Sequence, residues 1–527
     1  MSIKNILLLS LLLITLIVSG CGKNELPLRV GINNEPETLD PRKLSGRYDA
    51  LVAKQLFECL TYLDQSGAVQ PAAAESWEAL DGDTKYVFHL RKNAKWSDGS
   101  SVTAADFAYA WRTHLDPKFA SVTADNLYFI KNAERYNGGK CQLTEVGIKT
   151  PDDYTIEVEL EQPTPFFPDL LSSYYYAPVC KRVLESDSAT FNSPTKIVCN
   201  GAFKLKSWSH NSKIEIVKNE QYWNGSEVTL DNAEFVITEN SSTLLQMLES
   251  GQLDVLFNPP LSEMPRLMSE NKLKIFPLLG TYFYSFNTQQ PPFNDARVRQ
   301  ALCLAIDRKT IVDKVLKGGQ QPALALVPPG IADYQDGSDF RAVGGDYFKD
   351  NDIETARKLL AAAGYPDGKG FPVDAVLYNT ADEHKQMAEA IQEMWRTNLG
   401  IKTRLTNMEG KVFLATRRKY DYAIARDGWT ADYADPYTFL SLFCEQLGAP
   451  KANFDDVTFD TILMSSNKTD NKRLRSKLLH EAENTLMQAF AIVPIYYYTD
   501  TLCLSPRVKN FNHNSLGEVF LKTIEIN

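Results

Sequence analysis

Histidine is scarce in this sequence and never regularly spaced. His89, His114, His210, His384, His480 and His513 form no H-x-H or H-x-x-x-H pair, so no histidine metal site is expected. The eight cysteines contain no C-x-x-C, which leaves a zinc ribbon or a thioredoxin-like site without support. Lysine and arginine form no cluster and the net charge is −10, so the backbone of a nucleic acid is excluded as a partner. Also missing are a nucleophile elbow, a P-loop, an H-E-x-x-H pair and a Gly-rich dinucleotide turn. An enzyme is therefore not expected, and no cofactor is. Catalytic groups need not follow a linear motif, so an envelope hydrolase of peptides or glycans, or a purely structural envelope protein, stays as an alternative. Beyond the first twenty residues no apolar run is long enough to span a bilayer.

What is present is a long chain of ordinary folded composition. With 527 residues, 44% hydrophobic and 23% charged, it suggests about three structural units at roughly 150 residues each. Its N-terminus is specific. Lys4 precedes an apolar stretch from Ile6 to Val18, and Ser19-Gly20-Cys21 follows, a pattern similar to a bacterial lipoprotein signal. That reading makes residues 1–20 a signal peptide, Cys21 the lipidated residue and 21–27 a tether to the membrane. An ordinary signal peptide that happens to end near a cysteine gives the same pattern. The seven remaining cysteines are an odd number, so at least one thiol is free or pairs outside the chain; a pair such as Cys180 with Cys199 is expected as a disulfide.

Along the chain, Leu28 to Ile32 alternates as a strand and Tyr48 to Leu60 carries helical spacing. Thr103 opens a helix, and strands follow at Tyr154 to Leu160, Ala202 to Trp208, Lys213 to Lys218, Ala233 to Ile237 and Leu253 to Phe257, with a helix from Ser242 to Ser250. Thr281 to Asn287 reads as a strand and Asp295 starts a helix. A helix-strand series then runs through Glu354 to Ala363, Val373 to Tyr378, His384 to Leu399 and Thr403 to Leu405, the mark of an α/β lobe. Lys472 to Phe490 is helical and Ala491 to Asp500 returns as a strand. In the tyrosine runs Tyr174 to Tyr176 and Tyr496 to Tyr498, packing is favoured over a binding role.

The stretch Asp421 to Leu440 concentrates chemistry. Within seven residues it presents Arg426, Trp429 and Asp432, a cation, a flat apolar ring and an anion. These suit a zwitterionic ligand with a side chain, such as a short peptide. The same residues also fit a solvated ion pair with the indole in the core.

Five segments, Pro71 to Trp111, Asn200 to Trp208, Pro291 to Arg308, Gly428 to Leu440 and Ala491 to Tyr498, together resemble the periplasmic oligopeptide-binding proteins of ABC importers, over essentially the whole mature chain. The resemblance implies an α/β, two-lobed periplasmic binding protein fold of type II-like character, with an additional inserted domain and mixed sheets. Lobe I would comprise 28–57, 182–279 and 499–527, the inserted lobe II 58–181, and lobe III 280–498. Crossings near Gly280 to Asn287 and Tyr496 to Thr501 would act as the hinge. It implies capture of short peptides by strand-like main-chain bonding and delivery to permease subunits, by a monomer lipid-anchored on the periplasmic side of the cell envelope.

Carried over by position, Asp432 resembles the receptor of the peptide α-ammonium. Gly428 and Thr430 from one lobe, and Ser45, Gly46 and Arg47 from the other, would offer backbone groups. Arg426 and His384 resemble cations for the C-terminal carboxylate, Trp429 and Arg417 would line side-chain pockets, and Tyr282, near the hinge crossing, is a further peptide-binding residue. Thr430 and Gly280 stand where a disulfide is often found, Gly410 where a pocket tryptophan is usual, Ser285 where a pocket glutamate is usual, and Arg47 replaces a small apolar residue. Losing an acid and gaining a cation makes the cleft more receptive to carboxylates. That motivates, as the alternative ligand, a murein peptide containing diaminopimelate.

Overall fold

The computed structural model describes residues 26–527 apart from 45, 66, 188, 193 and 336. Cys21 and Ser45, and the signal sequence, lie outside the described residues. The chain folds as a two-lobed, mixed α/β body around an eleven-stranded sheet, with a separate four-stranded sheet and two two-stranded ones. The large sheet runs, in order, Arg404–Met408, Ala375–Asn379, Ile424–Thr430, Leu273–Phe286, Ile492–Leu504, Val255–Phe257, Leu28–Ile32, Asn232–Ile237, Lys213–Lys218 and Phe203–Ser209. Gln321–Pro322 pairs to the side of Ile492–Leu504. The four-stranded sheet, Ala74–Leu80, Lys85–Leu90, Thr155–Glu159 and Ile148–Asp152, is antiparallel throughout.

Two long strands join the halves of the large sheet. Leu273–Phe286 and Ile492–Leu504 pair antiparallel, but the ladder shifts between Pro277 and Thr281 and again between Tyr282 and Phe283. A proline donates no backbone hydrogen bond, and such shifts bend a strand and increase its twist. Beyond this shared ladder, the end of Ile492–Leu504 pairs with Val255–Phe257 in one half, and the end of Leu273–Phe286 pairs with Ile424–Thr430 in the other, with the bent stretch between them. The first of these strands begins eight residues earlier than the alternation from Thr281 suggests. In its opening part, Leu273 to Leu278, no side chain is fully buried, and so it carries a weak apolar signal.

Apolar burial holds the body together in two main cores. One core gathers Leu28, Val30, Phe88, Trp96, Trp111 and Phe235, and a second gathers Tyr284, Val298, Leu302, Val376, Trp395 and Ile424. Each large aromatic or aliphatic side chain removed from water stabilises by about 1.5–3 kcal/mol. Helix Asp382–Leu399 lays Met387, Ile391 and Trp395 on the sheet, and Gly400 in a left-handed conformation ends it.

The expected Cys180–Cys199 disulfide is not formed, and all seven described cysteines are free thiols. Cys180 and Cys199 are separately buried, and desolvation pushes their thiols up to about 11 and about 12. Each acts as a small apolar side chain.

Candidate functional site

Strand Ile424–Thr430 carries the stretch singled out above, and alternation divides its side chains between two faces. Arg426 and Gly428 oppose Tyr284 and Tyr282 across the ladder, whereas Asp427 and Trp429 oppose Phe283 and Thr281. Arg426 and Trp429 thus lie on opposite faces, and Asp432 lies beyond the strand's end. The structure distributes the trio along one strip instead of gathering it in one pocket.

Asp432 lines a cavity of about 360 Å³ together with Arg47, Tyr174, Tyr175, Thr430 and Asp500. Its loop is fixed on both sides. Tyr433 stacks on Phe166 at 4.5 Å between centroids, and Arg475 donates to the Asp435 carboxylate at 2.7 and 2.9 Å. Among the described residues no cation pairs with Asp432 itself. Burial, aided by repulsion from Asp125, pushes its pKa up to about 7. The other charges on the cavity wall are matched. Arg47 donates to Asp500 at 2.7 Å, His513 Nε2 lies 2.9 Å from the same oxygen, and Lys54 pairs with Glu518. Burial opposes ionisation of Asp500, but His513 and Arg47 outweigh it and hold this carboxyl below the usual range. One uncompensated acid in a partly dry cavity is a receptor for one cationic group.

Around Arg426 the signs reverse. Its guanidinium donates to Tyr498 Oη at 3.2 Å and lies 4.8 Å from the Tyr282 ring centroid, yet no carboxylate among the described residues pairs with it and its buried Nε is unbonded. His384 Nδ1 is 3.3 Å from Tyr282 Oη. Burial, and then the charge of Arg426, push the His384 imidazole down to about 3. Without a ligand the His384 imidazole is thus held toward its neutral form beside the charged Arg426. Tyr496 completes the group by donating to Glu383 at 2.5 Å.

Two glycines make room for Tyr498. A Cβ at Gly428 would stand 2.5 Å from Tyr498 Oη, and one at Gly280 would stand 2.7 Å from its Cδ2. Gly280 and Thr430 are direct cross-strand partners, so the tyrosine ring occupies the space that a side chain bridging those positions would need. Gly46 was expected to offer backbone groups, but its N–H donates to Asp49 at 3.1 Å and its carbonyl accepts from Ala50 at 3.1 Å. Thr430 is exposed on the cavity wall.

On the other face Asp427, almost fully buried, accepts from Arg417 and from Lys451 at 2.7 Å, with Ser285 Oγ at 3.2 Å. Arg417 is thereby tied to a carboxylate. Trp429 donates to Thr438 at 3.1 Å, and Lys451 Nζ lies 5.5 Å from its ring centroid. The charge count drawn earlier from Ser285 and Arg47 does not hold locally, because Asp427 supplies an acid beside Ser285 and Asp500 takes up Arg47. Sequence reasoning missed Asp427, Lys451, Tyr174, Tyr175 and Tyr498. In the tyrosine runs alternation favours packing and so masks the binding side of the rings, while Lys451 sits in a loop without local signal.

The sequence pattern of the bacterial extracellular solute-binding proteins, family 5 (middle), matches residues 68–451. The oligopeptide-binding protein of Bacillus subtilis is 34% identical over 536 residues, covering 97% of each chain. The periplasmic oligopeptide-binding protein of Salmonella typhimurium is 38% identical over 502 residues, covering 94% of this chain and 91% of that one. The solved murein tripeptide binding protein of Escherichia coli superposes with a TM-score of 0.79 at 31% identity, covering 95% of this chain and 98% of that one. With a bent double strand joining two lobes, an unpaired acid in the cavity and a match over most of its length, this chain belongs to the bacterial extracellular solute-binding proteins of family 5.

Proposed function

We propose that this protein captures short peptides between its two lobes outside the cytoplasm and hands them to the permease of an ABC-type importer. The observation that carries the reading is Asp432, a half-buried carboxylate that no cation among the described residues pairs with, on the wall of a 360 Å³ cavity. A peptide α-ammonium supplies the missing charge. Arg426, the uncompensated cation on the strand that leads to Asp432, is suited to the peptide's carboxylate. Between them the peptide main chain would bond to the exposed end of Ile424–Thr430 like an added strand, which gives affinity with little sequence selectivity. Closure over the bent strands is favoured because a bound ligand contacts both walls only in the closed state.

In this reading Cys21 carries the lipid that holds a monomeric body at the membrane, on the periplasmic side of the cell envelope. Relatives that bind murein peptides share the scaffold, and peptides of that kind are the second ligand class. Native mass spectrometry of protein purified from cells tests the reading. A heterogeneous set of intact peptides released on denaturation supports it, cleaved products would favour a hydrolase, and a cavity that takes up no added peptide would contradict it.

A further inference from the structure

Phe129 and Phe166 belong to the part of the chain built on the four-stranded sheet. Glu161 N–H donates to the Phe129 carbonyl at 3.0 Å, Tyr86 Oη donates to the Thr164 carbonyl at 3.0 Å, and Phe167 packs beside Tyr86 and Phe88. Tyr433, Tyr437 and Arg475 belong to the opposite wall of the cavity, where Ala431 N–H donates to the Leu279 carbonyl at 2.7 Å and Arg475 holds Asp435. The two groups meet ring on ring. Phe166 lies 4.5 Å from Tyr433 with the planes 2° apart, and 5.7 Å from Tyr437. Phe129 stands edge-on to Phe166 at 5.8 Å and to Tyr433 at 6.2 Å, and the Arg475 guanidinium lies 5.5 Å from the Phe166 centroid. Phe166 and Tyr433 are each only 4% exposed.

Tyr174 and Tyr175, further along the Phe166 stretch, face Thr430 and Asp432 across the cavity. The same two stretches of chain thus part around the cavity and touch beside it. Rings so placed stay out of water only while the walls stand together, and among the described residues lining the cavity none of these rings is found. The walls must separate before a peptide can leave, so the stack has to break first. We infer that Phe129, Phe166 and Tyr433 form an aromatic latch between the walls of the cavity, which slows the release of every bound peptide by a common factor, whatever its sequence or charge. The inference rests on the closure of the peptide reading above and adds to it a contact that the ligand does not make. Asp432 selects the ammonium; its neighbour Tyr433 holds the wall in place without selecting.

Stopped-flow displacement tests this with tetra-alanine and its variants carrying Glu or Lys at the third residue. Each is bound first and then displaced by excess dye-labelled tetra-alanine, so that the observed rate is that of release. Phe166→Leu is expected to release all three peptides about tenfold faster than the wild type, by one common factor, and Phe166→Tyr, which keeps a flat ring, to restore slow release. Tyr433→Leu is expected to speed release as well, and the double variant to be no faster than the faster single one, because the two rings make one contact. Thermal unfolding checks that each variant folds, and Phe129→Leu, at the half-buried edge of the stack, supplies a milder variant with a smaller but equally uniform acceleration. Release unchanged in folded Phe166→Leu, acceleration that differs from peptide to peptide, or a double variant whose effect is the product of the single ones overturns the latch while leaving the peptide reading in place. If the wild type takes up none of the three peptides, the peptide reading fails and the latch with it.

Discussion

Asp432 and Arg47 face one cavity without pairing, because Arg47 is held by Asp500 at 2.7 Å. The wall therefore keeps one negative charge free, and the site's behaviour follows from that imbalance.

The free acid should cost stability as the pH rises. Its folded pKa, about 7, lies above the ordinary 3.8, so between about pH 4 and 7 the native state holds a proton that the unfolded chain has released. Unliganded stability is then lost through that window. Asp432→Asn should remove the loss and stabilise the unliganded protein by about 1–2 kcal/mol at pH 8 relative to pH 4. Thermal unfolding of both proteins across this range checks it.

Peptide affinity should run the other way. Binding an ammonium favours the ionised carboxylate, so affinity should rise with pH up to about 7 and fall once the peptide amine titrates, near 8. His384, already neutral down to about 3, should add nothing to this profile. Calorimetry from pH 5 to 9 on wild type and His384→Gln should give curves of one shape.

Arg47→Ala leaves Asp500 with His513 alone in a buried position. Removing one partner of such a pair costs several kcal/mol when both are buried, but Arg47 is 43% exposed, so a loss of about 1 kcal/mol in unfolding free energy is expected. Neutral and acidic peptides should weaken equally, if at all, since Arg47 is not the proposed carboxylate receptor.

Gly428→Ala should disturb the site by collision with Tyr498 Oη, costing about 1–3 kcal/mol of stability. Adding Tyr498→Phe removes that oxygen and should recover most of the loss. An unchanged Gly428→Ala, measured by denaturant unfolding, would mean that the tyrosine is free to move aside.

Much of the framework was legible because burial follows simple periods. Leu28–Ile32 and Lys213–Lys218 alternate cleanly and fold with the bounds their sequences indicate. Asp295 was legible as a helix start, and its carboxylate accepts from Arg297 N–H. Less was visible where charge or solvent masks the pattern, as in Ala74–Leu80, a strand that exposes most of its side chains. Of the site, Asp432 and Arg426 stood out as local chemistry. Their separation could not, because strand alternation and the turn after Thr430 decide it. Lys451, brought to Asp427 from 24 positions away by the loop, has meaning only in three dimensions. Tyr498 looked like packing because it is packing, and its hydroxyl reaches Arg426 only where two glycines leave space.

The most direct test compares one neutral tripeptide with its N-acetylated form, by calorimetry at pH 7.5, on wild type and Asp432→Asn. The wild type should bind the free amine more tightly by about 2 kcal/mol or more, roughly thirtyfold, and Asp432→Asn should erase most of that difference. Equal binding of both peptides by the wild type, or full affinity of the variant for the free amine, would contradict the account.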